Sequence, residues 1–186
     1  MPNLIYSIMT SLDGYIAGPN DELGWAIIDE ELHQFVNDQQ QAIGLYLYGR
    51  RMYDLMAGFW PTGDSDPTAP AYIVEFARIW KAMPKVVFSK TLEQVAWNAR
   101  LVREDAVGEV SRLKAQPGKD LEVGGADFAA TLMQSGLIDR YQLFVHPVIL
   151  GRGKPVFPLP LERLNLRLIE TRTFGSGVVF LDYRTA

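Results

Sequence analysis

The chain has 186 residues, a formal net charge of −4 and 48% hydrophobic residues. This length and apolar content suit one domain with a full-sized core and argue against a disordered chain. The small negative charge, with acids and bases interspersed, argues against a nucleic-acid surface. We therefore expect a single domain, residues 1–186, with no nucleic-acid partner.

The chain lacks cysteine and has two histidines, His33 and His146, which lie far apart in the sequence. Disulfides, thiolate metal sites and a cysteine nucleophile are thereby excluded, and a histidine metal site is not expected. No apolar run approaches the length of a membrane span, and the N-terminal residues show no basic region followed by an apolar block. We predict a cytoplasmic protein with no metal and no membrane partner.

The first half of the chain alternates strand-like with helix-like segments. Strands are predicted over residues 3–9, 15–17, 45–48 and 85–89. A helix is predicted after an N-cap at Asp29, and its inner face would consist of Leu32, Phe35, Val36 and Ile43. Residues 50–56 are expected to form one or two helical turns, residues 58–70 a loop around Trp60, and residues 72–83 a second helix.

The second half ends in consecutive strands. Strands are predicted over 97–102, 121–123, 141–146, 164–173 and 178–184, and helices over 104–115 and from Phe128 to Ser135. Residues 147–160 are predicted to form a loop rich in Gly and Pro, and Gly175-Ser-Gly177 a hairpin turn. This order of elements predicts an α/β domain with a mostly parallel sheet and an antiparallel edge.

The stretch Leu121-Glu-Val-Gly-Gly-Ala-Asp-Phe128 runs from a strand into two glycines that open a helix. Glycine lets a ligand approach the backbone closely, and the first N–H groups of a helix attract anions. An ordinary tight turn is the favoured explanation of the two glycines when they are taken alone. Other strand exits in the chain, however, point to the same chemistry.

Two further predicted strands end in turns that carry basic residues. Leu47-Tyr-Gly-Arg-Arg-Met-Tyr53 places two arginines after a strand, and Phe88-Ser-Lys-Thr91 places a lysine between two hydroxyl side chains. Arginine, lysine and hydroxyl groups all bind phosphate. Because ligands of open α/β sheets bind at the carboxyl ends of strands, the three turns together predict a dinucleotide site.

The order and spacing of these motifs resemble the dihydrofolate reductase-like superfamily and, within it, the reductase domain of bacterial riboflavin biosynthesis. The resemblance extends over residues 3–184 and includes the three turns above, Ser11-Leu-Asp-Gly-Tyr-Ile-Ala17, and the segment from Phe144 to Phe157. It implies a mixed, mostly parallel sheet with helices on both faces and a C-terminal antiparallel hairpin. It also implies NADPH as the cofactor and a homodimer as the assembly.

The resemblance assigns cofactor contacts by position. The adenosine end and its 2′-phosphate would contact Gly49, Arg50, Arg51, Met52, Ser89 and Lys90. The pyrophosphate would contact Gly124, Gly125, Ala126, Asp127 and Phe128, and the nicotinamide would lie near Ile16, Ala17 and Gly18. Because a carboxylate repels a pyrophosphate, we expect Asp127 to cap its own helix and to leave binding to backbone N–H groups.

The catalytic acid is predicted to be Asp13 or Glu31, which would orient the substrate or relay a proton. A shift of one residue would replace Glu31 by Glu30; alternatively, Asp13 caps a turn and the glutamates complement the helix dipole. Trp25 and Trp60 are predicted to stack on a flat substrate. Trp80 and Trp97 are predicted to be core residues, and His146 a strand-end or interface residue.

These features predict an NADPH-dependent reductase that acts on a small planar heterocycle of pterin or pyrimidine type. A substrate of the riboflavin pathway, a phosphoribosylaminopyrimidine, would need a basic phosphate site, for which Arg152 and Lys154 are the only cluster in a suitable loop. Two alternatives stay open. The chain could be a non-catalytic nucleotide-binding module, or it could use a flavin or deazaflavin.

Overall fold

A computed structural model describes residues 1–157 and 161–186. The strands in this part of the chain are β1 Leu4–Ser11, β2 Tyr15–Ala17, β3 Ile43–Gly49, β4 Lys85–Phe88, β5 Ala99–Val102, β6 Asp120–Gly124, β7 Arg140–His146, β8 Lys154–Pro155, β9 Leu166–Thr173 and β10 Val179–Thr185. The α-helices are α1 Glu30–Gln39, α2 Arg50–Phe59, α3 Ala71–Ala82, α4 Ala106–Ala115 and α5 Ala126–Gln134.

Eight of the strands form one mixed sheet in the order β5-β4-β3-β6-β1-β7-β10-β9. The pairs from β5 to β7 are all parallel, whereas β10 is antiparallel to both β7 and β9. The terminal hairpin turns at Gly175-Ser-Gly177, between β9 and β10. The predicted α/β class, the mostly parallel sheet and the C-terminal antiparallel hairpin are therefore confirmed.

Helices cover both faces of this sheet, as predicted. On one face, Val110 of α4 and Leu132 of α5 pack with Leu47 and Val123 of the central strands. On the other face, Trp80 of α3 packs with strand side chains of the sheet. The first helix begins where the sequence predicts, because the Asp29 carboxylate accepts a hydrogen bond of 2.9 Å from the backbone N–H of Leu32.

The carboxyl end of α3 is fixed by a buried lysine. The Lys85 side chain, 1% exposed, donates to the carbonyl oxygens of Trp80, Met83 (2.7 Å) and Trp97 (2.9 Å). The ammonium thereby satisfies helix-end carbonyls that have no partner inside the helix. Burial lowers the pKa of Lys85 to about 8.

Some sequence predictions were wrong in detail. Ile43, predicted on the inner face of the first helix, begins β3. Trp80 is buried as predicted, but Trp97 is 44% exposed because it lies in a left-handed turn rather than in the core. The predicted loop 147–160 contains β8, which pairs with β2, and its last three residues lie outside the described part of the chain.

The register of the parallel strands brings three predicted ligand turns together. Gly49 at the end of β3 is opposite Phe88 at the end of β4, and Tyr48 is opposite Gly124 at the end of β6. The three strands therefore end at the same edge of the sheet. That edge carries the candidate site.

Candidate functional site

A cavity of about 350 Å³ lies at the carboxyl ends of β3 and β6. The predicted cofactor residues that line it are Ile16, Ala17, Gly49, Arg50, Arg51, Met52, Gly124, Gly125, Ala126, Asp127 and Phe128. The cavity is also lined by Asp21, Leu23, Leu55 and Lys154. The structure thus brings together most of the predicted cofactor residues, and their role in binding stays a prediction.

Gly124 and Gly125 line this cavity with backbone atoms. A Cβ atom on Gly124 would lie 3.0 Å from the Tyr48 ring, and one on Gly125 would lie 3.2 Å from the Met52 Cβ. Gly125 also has a φ of +88°, which residues with a side chain rarely adopt. Gly125 precedes α5 without a side-chain cap, so the first N–H groups of this helix are left for another acceptor.

The side chain of Asp127 does not cap α5, and this prediction was wrong. Its carboxylate lies 2.5 Å from the Lys154 ammonium and 3.9 Å from the Arg51 guanidinium. The cap was expected because a carboxylate repels a pyrophosphate, and nothing local indicates a cation near Asp127. Lys154 reaches it only because β8 pairs with β2.

A second cavity, of about 500 Å³, adjoins the first. Gly18, predicted near the nicotinamide, lines this second cavity together with Arg152 and Gly153. A Cβ on Gly153 would lie 2.0 Å from the Ala17 carbonyl oxygen, so only glycine allows β8 to approach β2 this closely. This approach places Lys154 in the walls of both cavities.

The two adjacent arginines point to different partners. The Arg50 guanidinium donates to the hydroxyl of Thr91 (2.8 Å) and to the carboxylate of Asp54 (3.3 Å). The Arg51 guanidinium donates to Asp21 at 2.6 Å. Arg50 therefore faces the turn after β4, whereas Arg51 faces the loop after β2.

Ser89 and Lys90, predicted at the adenosine end, lie in that turn after β4 but line neither cavity. The Ser89 hydroxyl accepts from the backbone N–H groups of Thr91 (3.2 Å) and Leu92 (3.1 Å), which holds the turn. The turn is connected to the cavity through the contact between Arg50 and Thr91.

Asp13, a predicted catalytic acid, lies outside both cavities. Its carboxylate accepts from the Ser11 hydroxyl (2.7 Å) and from the backbone N–H groups of Leu150 (3.1 Å) and Gly151 (2.7 Å). These hydrogen bonds, the one from Ser11 first, lower the pKa of Asp13. The structure therefore shows Asp13 connecting two loops, which favours the turn role over proton transfer.

Glu31, the other predicted acid, also lies outside both cavities. Its carboxylate accepts from the backbone N–H of Gly175 and from the Arg172 guanidinium, both at 3.0 Å. These two interactions, the Gly175 hydrogen bond first, lower the pKa of Glu31. Glu30, its alternative, is exposed in the first turn of α1, where it complements the helix dipole. Neither glutamate is placed at the cavity.

The two predicted substrate aromatics have different surroundings. Trp60 lies in a single 3-10 turn and packs against Phe76 of α3, with ring centroids 4.4 Å apart, so its predicted loop setting was wrong. Trp25 packs edge-to-face against His146, with centroids 5.3 Å apart. It follows Leu23, which lines the first cavity, by two residues.

His146 is fully buried at the end of β7, and burial lowers its pKa. Its Nδ1 atom accepts from the backbone N–H of Ile27 (3.2 Å), so the neutral ring carries its proton on Nε2. Nε2 of His146 and Nε1 of Trp25 are both buried and have no hydrogen-bond partner among the described residues. Two N–H donors without acceptors among the described residues therefore lie next to each other, although neither residue lines the first or the second cavity.

Some cavity residues could have been found from local spacing and others could not. Leu55 follows Arg51 by one helical turn, so a helix through 50–59 places both on one side. Lys154 was predicted, together with Arg152, only as a cluster for a substrate phosphate, and it reaches the first cavity from β8. Asp21 had no signal, since it lies in the loop after β2. No helix in residues 1–157 and 161–186 is long and apolar enough to cross a membrane, and no group of metal-binding side chains was found in the same residues.

The profile of the family described as RibD C-terminal domain matches residues 2–180 of the chain. The uncharacterized protein YyaP of Bacillus subtilis (strain 168) is 36% identical over 181 residues, which cover 97% of this chain and 93% of that protein.

Two solved structures show how far the fold is shared. A Shewanella sp. PV-4 protein, provisionally named a riboflavin biosynthesis protein, matches with a TM-score of 0.74 and 23% identity, covering 100% of this chain and 99% of that one. The diaminohydroxyphosphoribosylaminopyrimidine deaminase/5-amino-6-(5-phosphoribosylamino)uracil reductase of Thermotoga maritima matches with a TM-score of 0.67 and 15% identity. This chain spans 57% of the Thermotoga protein. The fold is dihydrofolate reductase-like, and the chain belongs to the RibD C-terminal domain family.

Proposed function

We propose that the chain is an NADPH-dependent reductase of a small planar heterocycle of pterin or pyrimidine type. One observation carries the proposal: the uncapped N-terminus of α5, Arg51 and Lys154 converge on one cavity at the carboxyl ends of parallel strands. Membership of a pyrimidine reductase family supports it. The Thermotoga protein, named as a uracil reductase, supports the pyrimidine class.

The residues of the first cavity fit a dinucleotide. The N–H groups of α5, the Arg51 guanidinium and the Lys154 ammonium are the donors that a diphosphate needs. Glycine is required at position 125, because a Cβ there would meet the Met52 side chain at 3.2 Å. Ile16, Ala17 and Leu23 supply an apolar wall of the kind that suits a flat nicotinamide ring. When bound, NADPH would supply the hydride for the reduction.

Arg50 supports a preference for NADPH over NADH. Its guanidinium reaches the hydroxyl-bearing turn after β4, so the two elements together form a compact group of phosphate donors. Arg51, which points the other way, cannot contribute to the same group without leaving Asp21. We assign the 2′-phosphate to Arg50 and the turn at Ser89 and Lys90.

Two side chains, Trp25 and His146, support a heterocyclic substrate. A pyrimidine or pterin ring carries carbonyl oxygens and ring nitrogens, which are acceptors for two buried N–H donors without partners. We assign the substrate ring to the Leu23 wall of the first cavity. Trp25 and His146 line neither cavity, so their N–H groups would have to become accessible when the substrate binds. Asp13 and Glu31 keep their predicted catalytic role only if they leave their present partners, since both carboxylates already accept backbone N–H groups.

The first experiment is a titration of the purified protein with NADPH and with NADH, followed by tryptophan fluorescence. Binding that is at least tenfold tighter for NADPH is expected, and oxidation of NADPH should then appear with a reducible pyrimidine or pterin. If neither nucleotide binds, the cofactor assignment is wrong. NADPH binding without turnover of any tested heterocycle would support the non-catalytic nucleotide-binding module instead.

We also propose that the chain forms a homodimer through β9. This strand is one of the two edges of the eight-stranded sheet and is exposed along its whole length, including Leu166, Leu168 and Ile169. An exposed apolar edge strand is a common site of association. Sedimentation velocity should show a dimer that Leu168→Lys dissociates, whereas Asp38→Lys, on the exposed side of α1, should leave it intact. A monomeric wild-type protein contradicts the proposal.

A further inference from the structure

Four charged side chains form a chain of ion pairs between the two cavities. Asp21 lies 2.6 Å from Arg51, Arg51 lies 3.9 Å from Asp127, and Asp127 lies 2.5 Å from Lys154. All four side chains line both cavities. They therefore form the wall that separates the largely apolar first cavity from the charged second one.

The position of Asp127 in this wall is unusual for a carboxylate beside a phosphate site. Asp127 is in the first turn of α5, yet its side chain turns away from the helix N–H groups and toward two cations. A negative group near a helix N-terminus, held by an ammonium and facing a guanidinium, has the surroundings that proteins give to a bound phosphate.

We propose that Asp127 is a built-in competitor for the phosphate of the dinucleotide. The ligand phosphate takes over Lys154 and Arg51, and the Asp127 carboxylate, whose side chain is 65% exposed, turns to solvent. The exchange is favourable because a diphosphate brings more negative charge than one carboxylate, but the lost ion pairs reduce the affinity. This inference rests on the proposed function, since it concerns the regulation of that same site.

The sign of one substitution separates this inference from the ordinary alternative. If Asp127 only holds Lys154 in place for the ligand, Asp127→Asn will weaken binding because the lysine loses its support. If Asp127 competes with the ligand, the same change will strengthen binding because Lys154 becomes free and Arg51 keeps only its ion pair with Asp21. An ion pair without functional importance would give no change, which is common for exposed pairs.

The test is isothermal titration of inorganic pyrophosphate and, separately, of NADPH into wild type and Asp127→Asn at fixed ionic strength. We expect the variant to bind both probes about threefold to tenfold more tightly. Asp38→Asn makes the same change on the exposed side of α1, away from both cavities, and should change neither affinity by more than about twofold. Thermal unfolding of each variant checks that the fold is retained.

A double-mutant cycle tests whether Lys154 is the group that is exchanged. Lys154→Met should weaken binding of both probes, and in its background Asp127→Asn should have less than half of its effect on the binding free energy. An equal gain in both backgrounds would show that Asp127 acts by general repulsion, and would overturn the exchange. Unchanged or weaker binding by the single variant Asp127→Asn overturns it directly.

The two probes separate this inference from the function it rests on. Pyrophosphate binding without NADPH binding would disprove the proposed function, and the pyrophosphate series would still decide the exchange. NADPH binding that Asp127→Asn leaves unchanged would disprove the exchange alone. If neither probe binds to wild type or variant, both are wrong.

Discussion

The charged side chains at the edge of the sheet have two kinds of partner. Where β3 and β6 end, Arg51, Asp127 and Lys154 pair with one another and line cavities. On the side of β1 and the terminal hairpin, Asp13 and Glu31 accept backbone N–H groups and line neither cavity. We infer that a charged residue is more available to a ligand when its partners are only side chains, which can be exchanged, than when backbone N–H groups also hold it.

The largest effect is expected for Gly125→Ala, which changes the glycine turn that lines the first cavity. The added Cβ would meet Met52 at 3.2 Å, and the φ of +88° would be strained, so we expect about 100-fold weaker binding of NADPH. Gly118→Ala is the matched control, because a Cβ there has no neighbour within 4 Å. Unchanged NADPH binding by Gly125→Ala, measured by fluorescence titration, would show that the glycine turn is only structural.

Glu122, on the central strand β6, differs from Asp13 in its partners and in its pKa, and Glu122→Gln tests this difference. Glu122 on β6 has no backbone partner, and its one hydrogen bond, from Gln40, is long at 3.5 Å. Burial raises its pKa to about 7, opposite to the shift of Asp13. The folded state therefore binds more protons than the unfolded state between about pH 4.5 and 7, and stability falls as pH rises through this window.

The expected effect of Glu122→Gln is a gain in stability of about 2 kcal/mol at pH 8 and little change at pH 4. Urea unfolding at both pH values measures it. A loss of stability at pH 8 would mean that the ionised carboxylate is satisfied in the folded protein. The predicted gain distinguishes a buried carboxylate with one long hydrogen bond from the carboxylates that pair with cations or backbone N–H groups.

Single substitutions of Arg50 and Arg51 test which of the two arginines binds the 2′-phosphate. Arg50→Ala should weaken NADPH about tenfold and leave NADH unchanged, because Arg50 faces the turn after β4. Arg51→Ala should affect both nucleotides equally, because Arg51 faces the pyrophosphate side. The measurement is again fluorescence titration. Equal effects of Arg50→Ala on both nucleotides would contradict our assignment of the 2′-phosphate.

The smallest effect is expected at Asp13. Because its pKa is lowered in the folded protein, its contribution to stability is present above about pH 4 and is lost as pH falls through the folded-state value. Asp13→Asn should lower the midpoint of thermal unfolding at pH 7 and leave NADPH binding unchanged. It should also reduce the fall of this midpoint as the pH is lowered. Asp38→Asn, on the exposed side of α1, is the control. Loss of turnover with unchanged stability would instead restore Asp13 as the catalytic acid.

The sequence predicted the features that depend on neighbours along the chain and on strand direction. The passage from β6 through Gly124 and Gly125 into α5 is local, so it could be predicted from propensity and spacing. The convergence of three strand ends followed from parallel pairing alone, because parallel strands end at one edge. Most of the first cavity was accessible in this way.

The features that sequence reasoning missed depend on distant partners. Asp127 meets Lys154, which is 27 residues away, and Asp13 meets the backbone of Gly151, which is 138 residues away. No local pattern predicts that a backbone N–H will reach a carboxylate across such a distance. Trp60 was misplaced for a related reason, since one 3-10 turn in a polar segment returns its ring to Phe76.

The buried ammonium of Lys85 has a consequence for chemical labelling. An amine-reactive reagent modifies exposed lysines of the native protein directly, but it can reach Lys85 only when the carboxyl end of α3 separates from β4. Acylation of Lys85, followed by mass spectrometry of its peptide, therefore reports the rate at which this part of the fold opens. Because β4 ends in the turn beside Arg50, slower acylation in the presence of NADPH would show that the bound nucleotide stabilises the strand behind its site.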